Sequence, residues 1–198
     1  MKRRKAIRRR RLVALGTVAV LIGVFVGALV ASGAFDDALK ELTLPLRHED
    51  VIRQQADEKG VDAALIAAVI YSESKFSDQT SSAGARGLMQ ITPEAAQFIE
   101  KQSGGTTFKL SDLSDPELNI RYGTYLLREL LERYDGDEAA ALAAYNAGPG
   151  NADKWGGADL TVAAIPFPET RAYVEEVLAK RDEYRHEYAS ELGYAGFP

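Results

Sequence analysis

The run VDAALIAAVIYSES, which begins at Val61, ends in a carboxylic acid and a hydroxyl, Glu73 and Ser74. Leu65, Ile66, Val69 and Ile70 recur at helical spacing. Glu73 follows Val69 by four positions and Ile70 by three, so on a helix it shares their inward face. Burial disfavours the charged form of a carboxyl and raises its pKa, which keeps a glutamic acid protonated near neutral pH and able to donate. Taken alone, a helix-terminal Glu more often turns to solvent; the residues downstream reverse that expectation.

Ser74, Lys75 and Phe76 follow the acid, and then a polar stretch containing two glycines, SSAGARG from Ser81 to Gly87, runs into Leu88, Met89, Gln90, Ile91, Thr92 and Pro93. Much later stand AYNAGPG, from Ala144 to Gly150, and IPFPETRAYV, from Ile165 to Val174. In this order, the four segments resemble the catalytic domain of the soluble-lytic-transglycosylase family, lysozyme-like enzymes that cleave bacterial peptidoglycan. The resemblance covers His48 to Arg185. One departure is visible: after Phe76 many relatives continue Asn-Pro, whereas this chain has Ser77 and Asp78, so the loop turn is expected to differ in shape.

Cleavage of a glycosidic bond requires a proton on the leaving oxygen and a group that captures the oxocarbenium-like carbon, and ordinary glycosidases use two carboxylates for this. Here the motifs supply one, Glu73. The other nearby acid, Asp78, reads as a solvated turn residue. The resemblance implies that the substrate provides its own nucleophile. Glu73 would protonate the oxygen between N-acetylmuramic acid and N-acetylglucosamine, then take the proton of the muramic 6-hydroxyl as it closes a 1,6-anhydro ring, with no metal or cofactor. It further implies substrate-binding roles for Ser82, Met89, Gln90, Tyr145, Asn146 and Tyr173. Ser82 would hydrogen-bond an N-acetyl group or orient the acid. Met89 would offer a polarizable apolar surface to a pyranose face, and Gln90 a donor and an acceptor. Tyr145 would stabilise charge near Glu73, Asn146 would hold an acetamido group, and Tyr173 would lie at the cleft floor. Two other readings of the same fold stay open: a hydrolytic muramidase using Asp78, and a non-catalytic glycan-binding or assembly module.

Helical punctuation dominates the elements that must position these groups. Glu49 to Lys59 reads as a helix stopped by Gly60, and Asp62 caps the helix that delivers Glu73. Thr92-Pro93 opens a helix through about Lys101, and Asp115-Pro116 opens the longest one of the domain. On that helix Leu118, Tyr122, Tyr125, Leu126, Leu130 and Tyr134 form the expected apolar stripe. An alanine-rich helix from Asp137 to Asn146, ended by Gly148, and a last one from Pro168 to about Tyr188 complete the set, and no alternating strand pattern appears. The expected fold is mostly α, a lysozyme-like helical domain behind a single N-terminal transmembrane helix.

That anchor is read from the first residues. Eight Lys and Arg among the first eleven positions precede an uncharged run from Leu12 to Phe35, long enough to span a hydrocarbon core of about 30 Å. The basic leader 1–11 is expected in the cytoplasm, 12–35 in the membrane, 36–47 as a linker, and 48–198 as the domain outside. Cleavage of the run as a signal, near Ser32-Gly33-Ala34, would export the domain equally. With no cysteine, neither a disulfide framework nor a lipidated cysteine is available. Setting aside the eight leader charges leaves 16 basic against 29 acidic residues, a balance that disfavours nucleic acid as a partner. Glycan strands must then be bound by a local cleft and not by bulk charge.

Overall fold

Alternating helix caps and glycine stops divide the chain into short helices in the computed structural model, which describes residues 16–18, 20–28, 30, 32–103 and 109–194. Contacts separate an N-terminal unit ending at Leu44 from a helical domain beginning at Pro45. In the first unit, residues 20–28 are helical, and α1 runs Ala34–Thr43 through the expected linker. Among the described residues no helix is long and apolar enough to cross a membrane; the expected anchor 12–35 lies partly outside them.

Within the domain, α2 (Glu49–Lys59) ends at Gly60 in the left-handed conformation, as its sequence requires. The Asp62 side chain caps α3 (Ala63–Ser74) by accepting from the Ala64 N–H at 3.2 Å. Every residue of α3 from Ala63 to Ile70 is buried, which makes it the core helix, apolar around its whole circumference. It stops abruptly after the acid: Lys75 and Phe76 both adopt positive φ, 51° and 60°, conformations that cost non-glycine residues energy and tend to persist where function requires them.

A loop then leads to α4 (Pro93–Ser103), a 3-10 turn (Leu110–Ser114), α5 (Pro116–Arg133), α6 (Glu138–Ala147), α7 (Pro149–Trp155) and α8 (Pro168–Glu187). Asp115 and Asp137 cap α5 and α6 through side-chain bonds to Leu118 N–H and Ala140 N–H, at 2.9 and 2.7 Å. Helix α8 packs along α3, while α6 packs against α5, α7 and α8. Its buried alanines, Ala140, Ala141, Ala143 and Ala144, are what allow so many neighbours to approach. Helix α7 has no counterpart in the sequence reading, which saw only a glycine stop there. Among the described residues there is no strand, only isolated bridges Thr80–Arg86 and Arg86–Ile91 within the loop.

The apolar stripe of α5 requires correction. Leu130 and Tyr134 are buried, but Leu118, Tyr122, Tyr125 and Leu126 are only partly covered. The face turned to the core carries Asn119, Ile120, Gly123, Thr124 and Leu127. Gly123 explains the rotation: a Cβ there would stand 2.3 Å from the Met89 sulfur, so the helix presents its small residues to the core and Met89 fills the space.

Candidate active site

Glu73 occupies the last turn of α3. Burial pushes its carboxyl up to about 7, opposed in part by the nearby Tyr173 phenol. That phenol is itself buried, and its hydroxyl faces the carboxyl. Tyr145 comes in from α6. Burial first, and then the Glu73 charge, raise both phenols well above their ordinary value, so each stays protonated and able to donate. The site therefore joins one acid to two phenols from three helices, and among the described residues no second carboxylate perturbs the acid.

The loop from Ser77 to Ile91 is tied to the end of α3. Gln79 Nε2 donates to the Glu73 carbonyl at 3.0 Å, and Ser74 Oγ donates to the Leu88 carbonyl at 2.7 Å. Gln90, at φ 46°, donates through Nε2 to the carbonyls of Gly87 and Gln79 at 2.8 and 3.1 Å. Tyr145 closes the far side, its hydroxyl donating to the Met89 carbonyl at 2.8 Å.

The expected site residues thus separate into groups. Glu73, Tyr145 and Tyr173 converge. Asn146 is exposed beside them and lines, with Tyr145, a cavity of about 730 Å³ whose other walls include Phe98, Leu126 and Pro149. The Gln90 amide is occupied in holding the loop together. Met89 is a correction: its side chain is fully buried against Gly123, and what it offers the site is its backbone carbonyl. Ser82 stands exposed at a turn, and no hydrogen bond joins it to Glu73. Gln79, Ser74 and Asn119, which hold the loop, were missed because polar residues of this kind carry no periodic signal; the backbone groups through which they hold it lie between 6 and 33 residues away.

A helical domain that sets one largely buried acid near two phenols, one of which also lines an open cavity, defines a lysozyme-like class of carbohydrate-active domain. Residues 50–166 match the family described as Transglycosylase SLT domain, more than half of the chain, and the chain belongs to that family. It is 35% identical to the soluble lytic murein transglycosylase of Salmonella typhimurium, a match covering 78% of this chain and 25% of that protein. It is also 35% identical to the membrane-bound lytic murein transglycosylase C of Edwardsiella ictaluri, over 53% of this chain and 32% of the relative. In three dimensions it resembles the lytic transglycosylase Slt of Pseudomonas aeruginosa, solved as an inactive glutamate-to-glutamine mutant. The TM-score is 0.71 at 30% identity, covering 76% of this chain and 26% of the other. The chain spans about a quarter of the length of the soluble relative and of that solved structure.

Proposed function

We propose that this chain is a membrane-anchored peptidoglycan lytic transglycosylase, with Glu73 as its acid and then its base. The observation that carries this reading is a carboxyl held near 7 by burial, with two protonated phenols near it and, among the described residues, no companion carboxylate acting on it. A single acid suits chemistry in which water is not the nucleophile. Glu73 gives its proton to the oxygen joining N-acetylmuramic acid to N-acetylglucosamine, and the anomeric C–O bond breaks. The muramic 6-hydroxyl oxygen then bonds to the anomeric carbon, and its proton passes to the Glu73 carboxylate. The acid is regenerated, water is not consumed, and the product ends in 1,6-anhydromuramic acid. Tyr173 donates toward the charge that Glu73 acquires between the two steps, Tyr145 stays bound to the Met89 carbonyl beside it, and the cavity bounded by Tyr145, Asn146 and Phe98 offers an apolar wall and amide groups to the flanking sugars.

Asp78 is exposed on the loop, which gives no support to a water-activating role. The inactive glutamate-to-glutamine form of the Pseudomonas relative supports an essential acid in the family. The anchor rests on the basic leader and the uncharged run, and on helical positions Val20, Leu21, Ile22, Val24 and Phe25, each more than half exposed, an apolar surface suited to lipid. Mass spectrometry of muropeptides released from purified peptidoglycan tests the reaction. Anhydro-ended fragments are expected; fragments heavier by one water per cut would make the protein a hydrolase.

A further inference from the structure

Asn119 is uncharged, polar and completely buried one turn into α5. A buried amide is tolerated only when its hydrogen bonds are made, and here its oxygen and both of its donors are engaged. Its Oδ1 accepts from the Met89 N–H at 2.8 Å. Its Nδ2 donates to the carbonyls of Arg86 and Leu113, each at 2.9 Å. The chain makes room for this amide: Gly87 lies at φ 73°, and a Cβ there would stand 2.1 Å from Nδ2 and 2.4 Å from the Leu113 carbonyl. The loop can approach α5 only through a residue without a side chain.

What the amide grips decides its importance. The peptide unit between Leu88 and Met89 is held from both sides, its N–H by Asn119 and its carbonyl by the Ser74 hydroxyl at 2.7 Å. Ser74 directly follows Glu73. The next peptide unit begins with the Met89 carbonyl, which receives the Tyr145 hydroxyl at 2.8 Å. Three helices therefore meet on two successive peptide units. From the geometry we infer that Asn119 is a positioning residue: by clamping Met89 it sets where the Tyr145 hydroxyl is held relative to Glu73. The inference rests on the acid role proposed above for Glu73.

Releasing the clamp lets the Met89 carbonyl retreat and frees the phenol to donate to Glu73 instead. The ionisable groups facing Glu73 are Tyr145 from α6 and Tyr173 from α8, with Glu176 acting on Tyr173. Of these, the clamp governs Tyr145. A hydrogen bond donated to a carboxylate stabilises its ionised form and lowers its pKa. Loss of the clamp thus moves the alkaline limb of the activity profile toward acid, whereas a purely structural loss lowers the melting temperature and leaves that limb in place.

The test uses the full chain in detergent with soluble glycan strands as substrate. Folded Asn119→Ala is expected to lose between about 10- and 100-fold in kcat, the scale of an ångström-sized misplacement, with KM little changed. Its alkaline limb should fall by about half a pH unit or more. In a Tyr145→Phe background the same substitution should add no further pH shift, since the residue acts through that hydroxyl. If Asn119→Ala does not fold, Ser74→Ala releases the same peptide unit from its other side and should show a smaller shift in the same direction. A folded variant with an unmoved limb, or a full shift persisting in the Tyr145→Phe background, overturns the inference. Failure of the underlying acid role would show differently, as a wild-type enzyme without an alkaline limb or an active Glu73→Gln protein.

Discussion

Tyr145 lies close enough to Glu73 for the carboxylate to raise its pKa, yet its hydroxyl donates to the Met89 carbonyl at 2.8 Å. The phenol is thus held as a neighbour of the acid without being spent on it. Burial consequently dominates the Glu73 carboxyl, and its pKa stays near 7 in place of the 4.5 of an ordinary glutamate. A donor committed to the carboxylate would pull it back down.

Substituting Glu73→Gln preserves shape and removes the proton. Peptidoglycan cleavage should fall by about 10² to 10⁴, the usual worth of general acid catalysis, with an unchanged far-UV circular dichroism spectrum. Near-wild-type turnover by the folded variant would remove Glu73 from the mechanism.

The same carboxyl makes stability depend on pH. Between 4.5 and about 7 the folded protein keeps a proton that the unfolded chain releases, so stability declines as pH rises through this window. The loss is on the order of 1–3 kcal/mol. Urea titrations across the window should show that loss in the wild type and little of it in Glu73→Gln.

Activity should follow the protonated acid. The rate is expected to fall above pH 7 with a midpoint near the Glu73 pKa of about 7. Initial rates on glycan strands between pH 5 and pH 9 would show this limb, and a rate constant across that range would contradict the assignment.

Asp78→Asn should leave turnover near wild type, because in the proposed reaction the muramic 6-hydroxyl is the nucleophile and water needs no activation. Substrate O-acetylated at that hydroxyl should resist cleavage. Abolished activity in a folded Asp78→Asn protein, together with reducing-end products, would replace the proposed reaction with hydrolysis.

Gly123→Ala introduces a methyl 2.3 Å from the Met89 sulfur. The flexible thioether can yield only by moving the loop or leaving its rotamer, at a cost of about 1–3 kcal/mol. Thermal melting should register this destabilisation; an unchanged melting temperature would mean that the contact between α5 and Met89 is loose.

Cell fractionation tests the anchor. The full-length protein should sediment with membranes and be released by detergent, not by salt. A soluble mature form beginning near Phe35 would show that the apolar run is cleaved.

Local chemistry alone settles much of this protein. Asp62, Asp115 and Asp137 announce three helix starts, and Gly60 and Gly148 two stops, since a cap is satisfied by atoms two or three residues away. The inward placement of Glu73 follows from the same short-range geometry, its spacing from Val69 and Ile70. Tertiary structure decided what depends on distant partners. Met89 reads in sequence as a surface for a sugar, but Gly123 opens a slot that buries it; the stripe of α5 rotates for the same reason, because small residues that permit close approach carry no hydrophobic signal. Tyr145 finds its acceptor 56 residues away in a backbone carbonyl, and Asn119 finds one of its partners 33 residues away in another. Backbone carbonyls are alike at every position in a sequence. Which of them comes within reach of a given side chain is determined only when the helices have packed.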